Sequence, residues 1–368
     1  MDTALHAPVI ARPPPVRSAG LIAWLRANLF ADWKNALSTI IVIALFARWL
    51  PEIVDWAFVR SVTRPDNAAC RALDHSGACW GVIAEKYRLI LFGRYPFDEQ
   101  WRPLLATLLM VVMLVASCTR ALWSRWLVVA WLAVLVVFFA LMRGGVAGLT
   151  PVETARWGGV PLTMLLSTLS IAAAFPIAIL VALGRRSHLP AIRTLCIVYV
   201  ELIRGVPLIS VLFMASFMFP LFMPPGITVD VLVRVLVGIT LFAAAYLAEV
   251  VRGGLQAIPK GQHEAAAAMG LSYWQTQRKI VLPQALRMVV PSIMNSFIST
   301  FKDTSLVTIV SLYDLTGSLA LALGGDADWR QFYMEGYLFI AAIYWTFCFA
   351  MSRYSQWVER HLRVGNAR

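Results

Sequence analysis

Eight apolar stretches, each close to a membrane's thickness in length, run through this 368-residue sequence at 37–56, 104–121, 126–142, 162–183, 197–219, 231–251, 289–312 and 337–357. A stretch of about 20 mostly apolar residues crosses the hydrocarbon core as a helix, and slightly shorter ones are completed by flanking groups that snorkel. Lipid offers backbone amides no hydrogen-bond partner, and a helix satisfies them within one segment. The expected fold is therefore an all-α polytopic membrane protein with about eight transmembrane helices. Charged residues make up only 14% of the chain and hydrophobic ones 60%, against roughly 25% charged in a soluble domain. That balance excludes a water-soluble fold of this length.

The net charge of +12 raises the question of nucleic acid, but the basic residues sit at the ends of apolar runs rather than on one polar face. No nucleic-acid partner is expected, and membrane lipid is. Arg12, Arg17, Arg26 and Lys34 precede the first span; Arg185, Arg186 and Arg193 follow the fourth. Arg252, Lys260, Arg278, Lys279 and Arg287 follow the sixth, and Arg353, Arg360, Arg363 and Arg368 end the last. With an even number of spans, all four groups share one side, and the excess of Lys and Arg makes that side cytoplasmic. Both termini are then cytoplasmic. The long segment after the first span is the exception, with seven basic residues from Arg60 to Arg102 interspersed with acidic ones.

Residues 1–35 lack a sustained apolar core and contain Pro13, Pro14 and Pro15, which predicts a disordered cytoplasmic tail rather than a cleaved signal peptide. Cys118, Cys196 and Cys348 fall in or at spans, where an inert buried thiol is the default. Cys70 and Cys79 lie in the extracytoplasmic loop, where they either form a disulfide worth about 2 to 3 kcal/mol or remain two thiols.

One polar island interrupts the apolar spans. Glu264-Ala265-Ala266-Ala267-Ala268-Met269-Gly270 is an alanine-rich helical turn or two, closed by a glycine that can adopt the left-handed conformation. Ser272 and Gln275 then form a capping box for a second short helix over 273–279. After nine residues come Ile280, Leu282 and Pro283. The pattern E-A-A, G, I-x-L-P at this spacing resembles the cytoplasmic coupling loop of ABC-importer permeases, which inserts into a cleft of the ATPase subunit. The resemblance implies that Glu264 makes a polar contact there, that Ala265 and Ala266 permit close docking, and that Gly270 sets the turn, with Leu282 and Pro283 completing the motif.

The likeness covers just over half the chain, a five-helix type I permease core over 159–358 with its coupling loop at 252–288. Within the core, Glu201-Leu202-Ile203-Arg204-Gly205-Val206-Pro207 and Lys302-Asp303-Thr304-Ser305-Leu306 resemble segments of the polar amino acid branch. An extension over 36–158 holds three helices and the periplasmic loop, and 359–368 forms a cytoplasmic tail. In the extension, Gly77-Ala78-Cys79-Trp80, Phe92-Gly93-Arg94-Tyr95-Pro96 and Trp101-Arg102-Pro103 resemble a permease subunit of bacterial general L-amino acid transporters. The family implies three kinds of partner: an ATP-binding-cassette ATPase dimer, a second permease subunit, paralogous or identical, and a periplasmic amino-acid-binding protein.

Charges inside spans carry their own argument, because each costs about 2.5 to 3.5 kcal/mol to insert and so faces a cavity or a counter-charge. Glu201 and Arg204 share a helical face and can neutralise one another, either as a structural pair or as substrate contacts. Lys302 and Asp303 are adjacent, about 100° apart around a helix, and cannot form a face-sharing pair. A zwitterionic amino acid offers a carboxylate to Lys302 and an ammonium to Asp303, with Thr304 and Ser305 as hydrogen-bonding neighbours. The alternative is that Lys302 snorkels or pairs with Glu249 or Glu201.

No Walker A loop, H-E-x-x-H, C-x-x-C or G-x-S-x-G motif occurs, and His263-Glu264 lacks a second histidine one turn on. The sequence thus predicts a non-enzymatic permease subunit that needs no cofactor or metal and imports L-amino acids, coupled to ATP hydrolysis by a separate subunit. The rival readings are an integral membrane enzyme acting on a lipid-linked substrate and a permease for another small polar solute.

Overall fold

Proline positions and helix caps set where the apolar runs begin, bend and end. The computed structural model describes residues 20–74, 76–146 and 148–364. His6, Arg12, Pro13, Pro14, Pro15, Arg17, His75 and Arg368 lie outside the described residues. The chain forms two compact units, Met1–Gly81 and Val82–Arg368.

The first unit holds α1 (Leu21–Asn28), α2 (Trp33–Val54) and α3 (Asn67–Ala72). Part of the tail expected to be disordered is thus the helix α1, and the Thr39 hydroxyl of α2 ties down the turn after it by donating to the Leu29 carbonyl at 2.9 Å. Pro51 cannot donate a backbone hydrogen bond, and four residues later α2 widens into a π-helical turn over Asp55–Val59. Beyond it the chain doubles back. Val62 pairs with Cys79 in a parallel bridge, and the Trp80 indole donates to the Ala57 carbonyl at 2.7 Å. Cys70 and Cys79 are bonded, their Cα atoms 5.4 Å apart.

The second unit contains α4 (Gly81–Phe92) through its last turns, α5 (Trp101–Cys118), α6 (Arg125–Arg143), α7 (Gly159–Gly184), α8 (Pro190–Arg204), α9 (Leu208–Phe213) and α10 (Val231–Gln256). It continues with α11 (Lys260–Ala268), α12 (Tyr273–Thr276), α13 (Leu282–Asp303), the two-residue strand β1 (Tyr313–Asp314), α14 (Leu315–Gly324) and α15 (Tyr333–Val364). The last helix covers much of the expected carboxy-terminal tail.

Six helical stretches among the described residues are long and apolar enough to cross a membrane, and a bent pair makes a seventh. That pair, Pro190–Arg204 with Leu208–Phe222, turns through 104° where one continuous span over 197–219 was expected. Pro207 supplies no amide hydrogen and pushes Val206 out of the helical region, so the helix stops at Arg204. The seventh expected span, 289–312, is shifted: its helix starts at Leu282, and after Asp303 the chain tightens into a 3₁₀ helix, Thr304–Val310.

One apolar core joins residues from both expected parts of this unit. Met110, Phe138 and Met142 pack with Trp157, Leu162, Leu165, Val235 and Phe301. Arg102, fully buried, fastens α5 to its surroundings by donating to the Leu141 carbonyl at 2.6 Å and the Thr150 carbonyl at 3.0 Å while pairing with Glu99. The Tyr95 hydroxyl donates toward the carbonyls of Leu141 and Met142, each at 3.1 Å, and burial pushes its phenol up to about 12, so it stays a neutral donor. Gly93 and Gly158 touch backbone to backbone. A Cβ at Gly93 would stand 2.6 Å from the Gly158 Cα, and the φ of +62° there already excludes most side chains.

Candidate functional site

The polar island folds as a helical hairpin at one end of the second unit. Pro259 precedes α11, whose alanines favour helix. The helix closes in a Schellman motif: the Leu271 amide donates to the Ala266 carbonyl at 3.1 Å and the Gly270 amide to the Ala267 carbonyl at 2.9 Å. Gly270 sits at φ +71°, the left-handed conformation the motif requires. The capping box is present as well. The Ser272 amide donates to Gln275 Oε1 at 2.9 Å, and the Gln275 amide donates to Ser272 Oγ at 3.4 Å.

The return arm differs from the expected short helix. From Tyr273 it runs through a π-helical turn, Gln277–Val281, directly into α13. Pro283 explains the wide turn, because its ring and missing amide disrupt the normal ladder one turn earlier. Any displacement of the hairpin therefore acts on a continuous helical rod. Glu264 and Ala265 are exposed, Ala266 is buried, Leu282 is half-buried and Pro283 is exposed. At the tip, Met269 is 80% and Trp274 64% exposed, with the half-exposed Tyr273 ring beside Trp274. Sequence reasoning had passed over Met269 and Trp274.

A second group of charges stands where α7, α8 and α10 approach that same end. Glu249 on α10 accepts from Arg185 Nη1 at 2.7 Å and from Arg252 Nε at 3.0 Å, with Arg204 Nη1 at 3.9 Å. Arg185 Nη2 also donates to Glu201 at 2.9 Å. Glu201 and Arg204 do not pair with each other. They share a face as the spacing predicted, but Arg185 and Glu249 on neighbouring helices offer better-placed partners. Arg204 lies over the Tyr246 ring, 5.4 Å from its centre. Local spacing shows only one half of this hub, Glu249 with Arg252 three residues on; Arg185 and Arg204 come from other helices and no spacing along the chain joins them to Glu249. Arg186 extends the group by donating to the Leu255 carbonyl at 2.6 Å, three residues before Ile258 and Pro259 lead into the hairpin.

Lys302 and Asp303 occupy the last turn of α13, about 30 Å along the axis from Leu282. Neither makes a hydrogen bond or an ion pair with any described residue, so Lys302 does not reach Glu249 or Glu201. Lys302 is exposed and Asp303 half-buried; Thr304 is buried, with its hydroxyl donating to the Phe301 carbonyl at 2.8 Å, and Ser305 is half-buried. The helix's carbonyl end favours Lys302 and disfavours Asp303. Asp303 is thus half-buried at an unfavourable helix end, with no hydrogen-bond or ion-pair partner for its side chain among the described residues.

Among the described residues no group of three or more His, Cys, Asp or Glu side chains could hold a metal ion.

Residues 174–364 match the family model described as binding-protein-dependent transport system inner membrane component. The chain is 46% identical over 360 residues, 96% of each chain, to the inner membrane amino-acid ABC transporter permease protein YhdY of Escherichia coli. It is 36% identical over 417 aligned positions, again 96% of each chain, to the glutamate/glutamine/aspartate/asparagine transport system permease protein BztC of Rhodobacter capsulatus. A 36% identity over 190 residues links it to the probable amino-acid ABC transporter permease protein YckA of Bacillus subtilis, covering 52% of this chain and 81% of that one.

Proposed function

The chain belongs to the family of binding-protein-dependent transport system inner membrane components, and from that premise we propose that it is the L-amino-acid-translocating permease subunit of an ABC importer. It is a transporter component rather than an enzyme, which removes the membrane-enzyme reading. The single observation that carries the coupling role is the hairpin: a rigidly capped turn, an exposed Glu264 beside an exposed Met269 and Trp274, and a return arm continuous with α13. A separate ATPase dimer grips that tip. Its ATP-driven closure moves α13 as a lever and swings the path from inward to outward facing.

The amino acid passes between this core and a second permease subunit, paralogous or identical, after delivery by a periplasmic binding protein. Lys302 and Asp303 meet its carboxylate and ammonium, with Thr304 and Ser305 beside them and with Glu201 and Arg204 farther along the path. The hairpin, the charged ends of α7 and α10 and both termini face the cytoplasm, in the orientation the Lys and Arg distribution supports. In this reading the domains are a cytoplasmic tail to residue 35, an extension to 158, the permease core to 358 and a short carboxy-terminal tail.

The test is uptake of labelled amino acids and ATP hydrolysis in proteoliposomes holding the assembled importer. Gly270→Asp and Glu264→Lys are expected to insert at wild-type abundance and to abolish both uptake and stimulation of ATP hydrolysis by the binding protein. Normal uptake by either variant at equal abundance would remove the coupling role.

A further inference from the structure

At the start of α7, about 39 Å along that 26-residue helix from the charged group at its other end, the second unit carries a cleft of about 710 Å³. Lys86, Arg88, Arg94 and Arg156 line it together with Glu85 and Glu153. In the proposed orientation this end faces away from the cytoplasm, where Lys and Arg are normally sparse. Four cations in one cleft on that side therefore call for an explanation other than topology.

Their arrangement supplies one. Arg88 Nε donates to Gln100 Oε1 at 2.7 Å, its Nη2 donates to the Phe97 carbonyl at 2.7 Å, and its guanidinium lies 3.3 Å from the centre of the Phe97 ring. Arg94 Nη2 donates to the Ala155 carbonyl at 2.9 Å, and its guanidinium lies 5.0 Å from the centre of the Tyr313 ring. Backbone carbonyls, an amide and aromatic rings thus orient both side chains without neutralising either. Among the described residues Arg88, Arg94 and Arg156 form no ion pair, although Glu85 and Glu153 line the same cleft. Only Lys86 is matched, by Asp326 at 2.7 Å. A guanidinium has five N–H donors, of which Arg88 uses two here and Arg94 one. The remainder are available for the two-pronged contact that arginine makes with a carboxylate.

We infer that this cleft is a docking site for acidic side chains on the solute-binding protein, so that the segment from Lys86 to Arg156 recognises the partner before any substrate is released. The inference rests on the importer reading. Pre-oriented guanidinium groups lose little freedom on contact and attract an acidic surface over distance, so they govern the rate and salt dependence of association.

The experiment measures the affinity of the solute-binding protein for the complete importer in nanodiscs, at low and raised salt. Arg156→Glu is the cleanest variant, because Arg156 is exposed and its side chain makes no hydrogen bond or ion pair with any described residue. Arg94→Gln with Arg156→Glu is the stronger one, and Arg94→Lys restores the charge. The double variant is expected to bind at least about tenfold more weakly, with a flattened salt dependence and an unchanged melting midpoint; the lysine variant, which keeps the charge but not the two-pronged contact, should keep the salt dependence and recover only part of the affinity. Affinity within twofold of wild type in the double variant would overturn the inference. So would a wild-type affinity that falls only when anionic lipid is removed from the nanodisc, since the cleft would then hold lipid headgroups. A wild-type complex that neither binds the solute-binding protein nor takes up amino acids would overturn the importer reading itself, a result distinct from either.

Discussion

Two groups of charges within the helical bundle obey opposite rules. Around Glu249 the chain answers its own charges: three arginines and two glutamates from α7, α8 and α10 meet within 4 Å. At the end of α13, the side chains of Lys302 and Asp303 stand side by side with no ion pair or hydrogen bond to any described residue. Both arrangements carry a desolvation cost in a membrane. A network that closes on itself holds helices together, whereas charges left open are matched by whatever enters. The first group reads as the clamp that keeps the hairpin end assembled, the second as a surface prepared for a ligand.

The sharpest way to break this contrast is to remove the hub. Glu249→Ala leaves Arg185, Arg204 and Arg252 without their shared carboxylate and is expected to lower stability by about 2 to 3 kcal/mol, somewhat less than a fully buried pair because the site is part-exposed. Thermal unfolding in detergent would register this as a lowered midpoint, together with reduced membrane abundance. If the midpoint is unchanged, the network contributes nothing to assembly.

Next comes the open pair. Lys302→Ala with Asp303→Ala removes no side-chain hydrogen bond or ion pair to any described residue, so its stability should stay within about 0.5 kcal/mol of wild type. Amino acid uptake should nevertheless fall at least tenfold, equivalent to about 1.4 kcal/mol, while ATP hydrolysis stimulated by the binding protein persists. A large stability loss with normal uptake would reverse the assignment of the two groups.

The smallest effect sharpens the comparison from outside. Lys86 and Asp326 form a simple part-exposed pair, and the hydrogen bond from Lys86 holds the Asp326 carboxyl below its usual range. A lowered folded-state pKa contributes stability above the ordinary carboxylate value of about 3.9, and that contribution disappears as the pH falls through the lowered value. Asp326→Asn should therefore melt slightly below wild type at neutral pH, with the gap closing on acidification. A gap that does not change with pH would mean that the pair is not the source.

Much of the architecture was legible because it depends on local rules. The alanine run ending at Gly270 marked a helix and its left-handed stop, and Ser272 with Gln275 marked a cap; each is fixed by a few neighbouring residues. The size of the bend at Pro207 and the fusion of the return arm with α13 were not legible. Both depend on how the freed backbone groups are met by packing around them. The Glu249 hub was only partly legible for the same reason: Arg252, three residues on, shares its helical face, but Arg185 and Arg204 stand 64 and 45 residues away along the chain.

By itself, then, the sequence determined the helical membrane fold, the capped hairpin around Gly270 and the presence of charges that needed partners, because lipid and backbone hydrogen bonding impose those on any chain of this pattern. Only the tertiary structure decided which charges are closed within the protein and which are left open, because ion pairing acts over a few ångströms in space, whatever the distance along the chain.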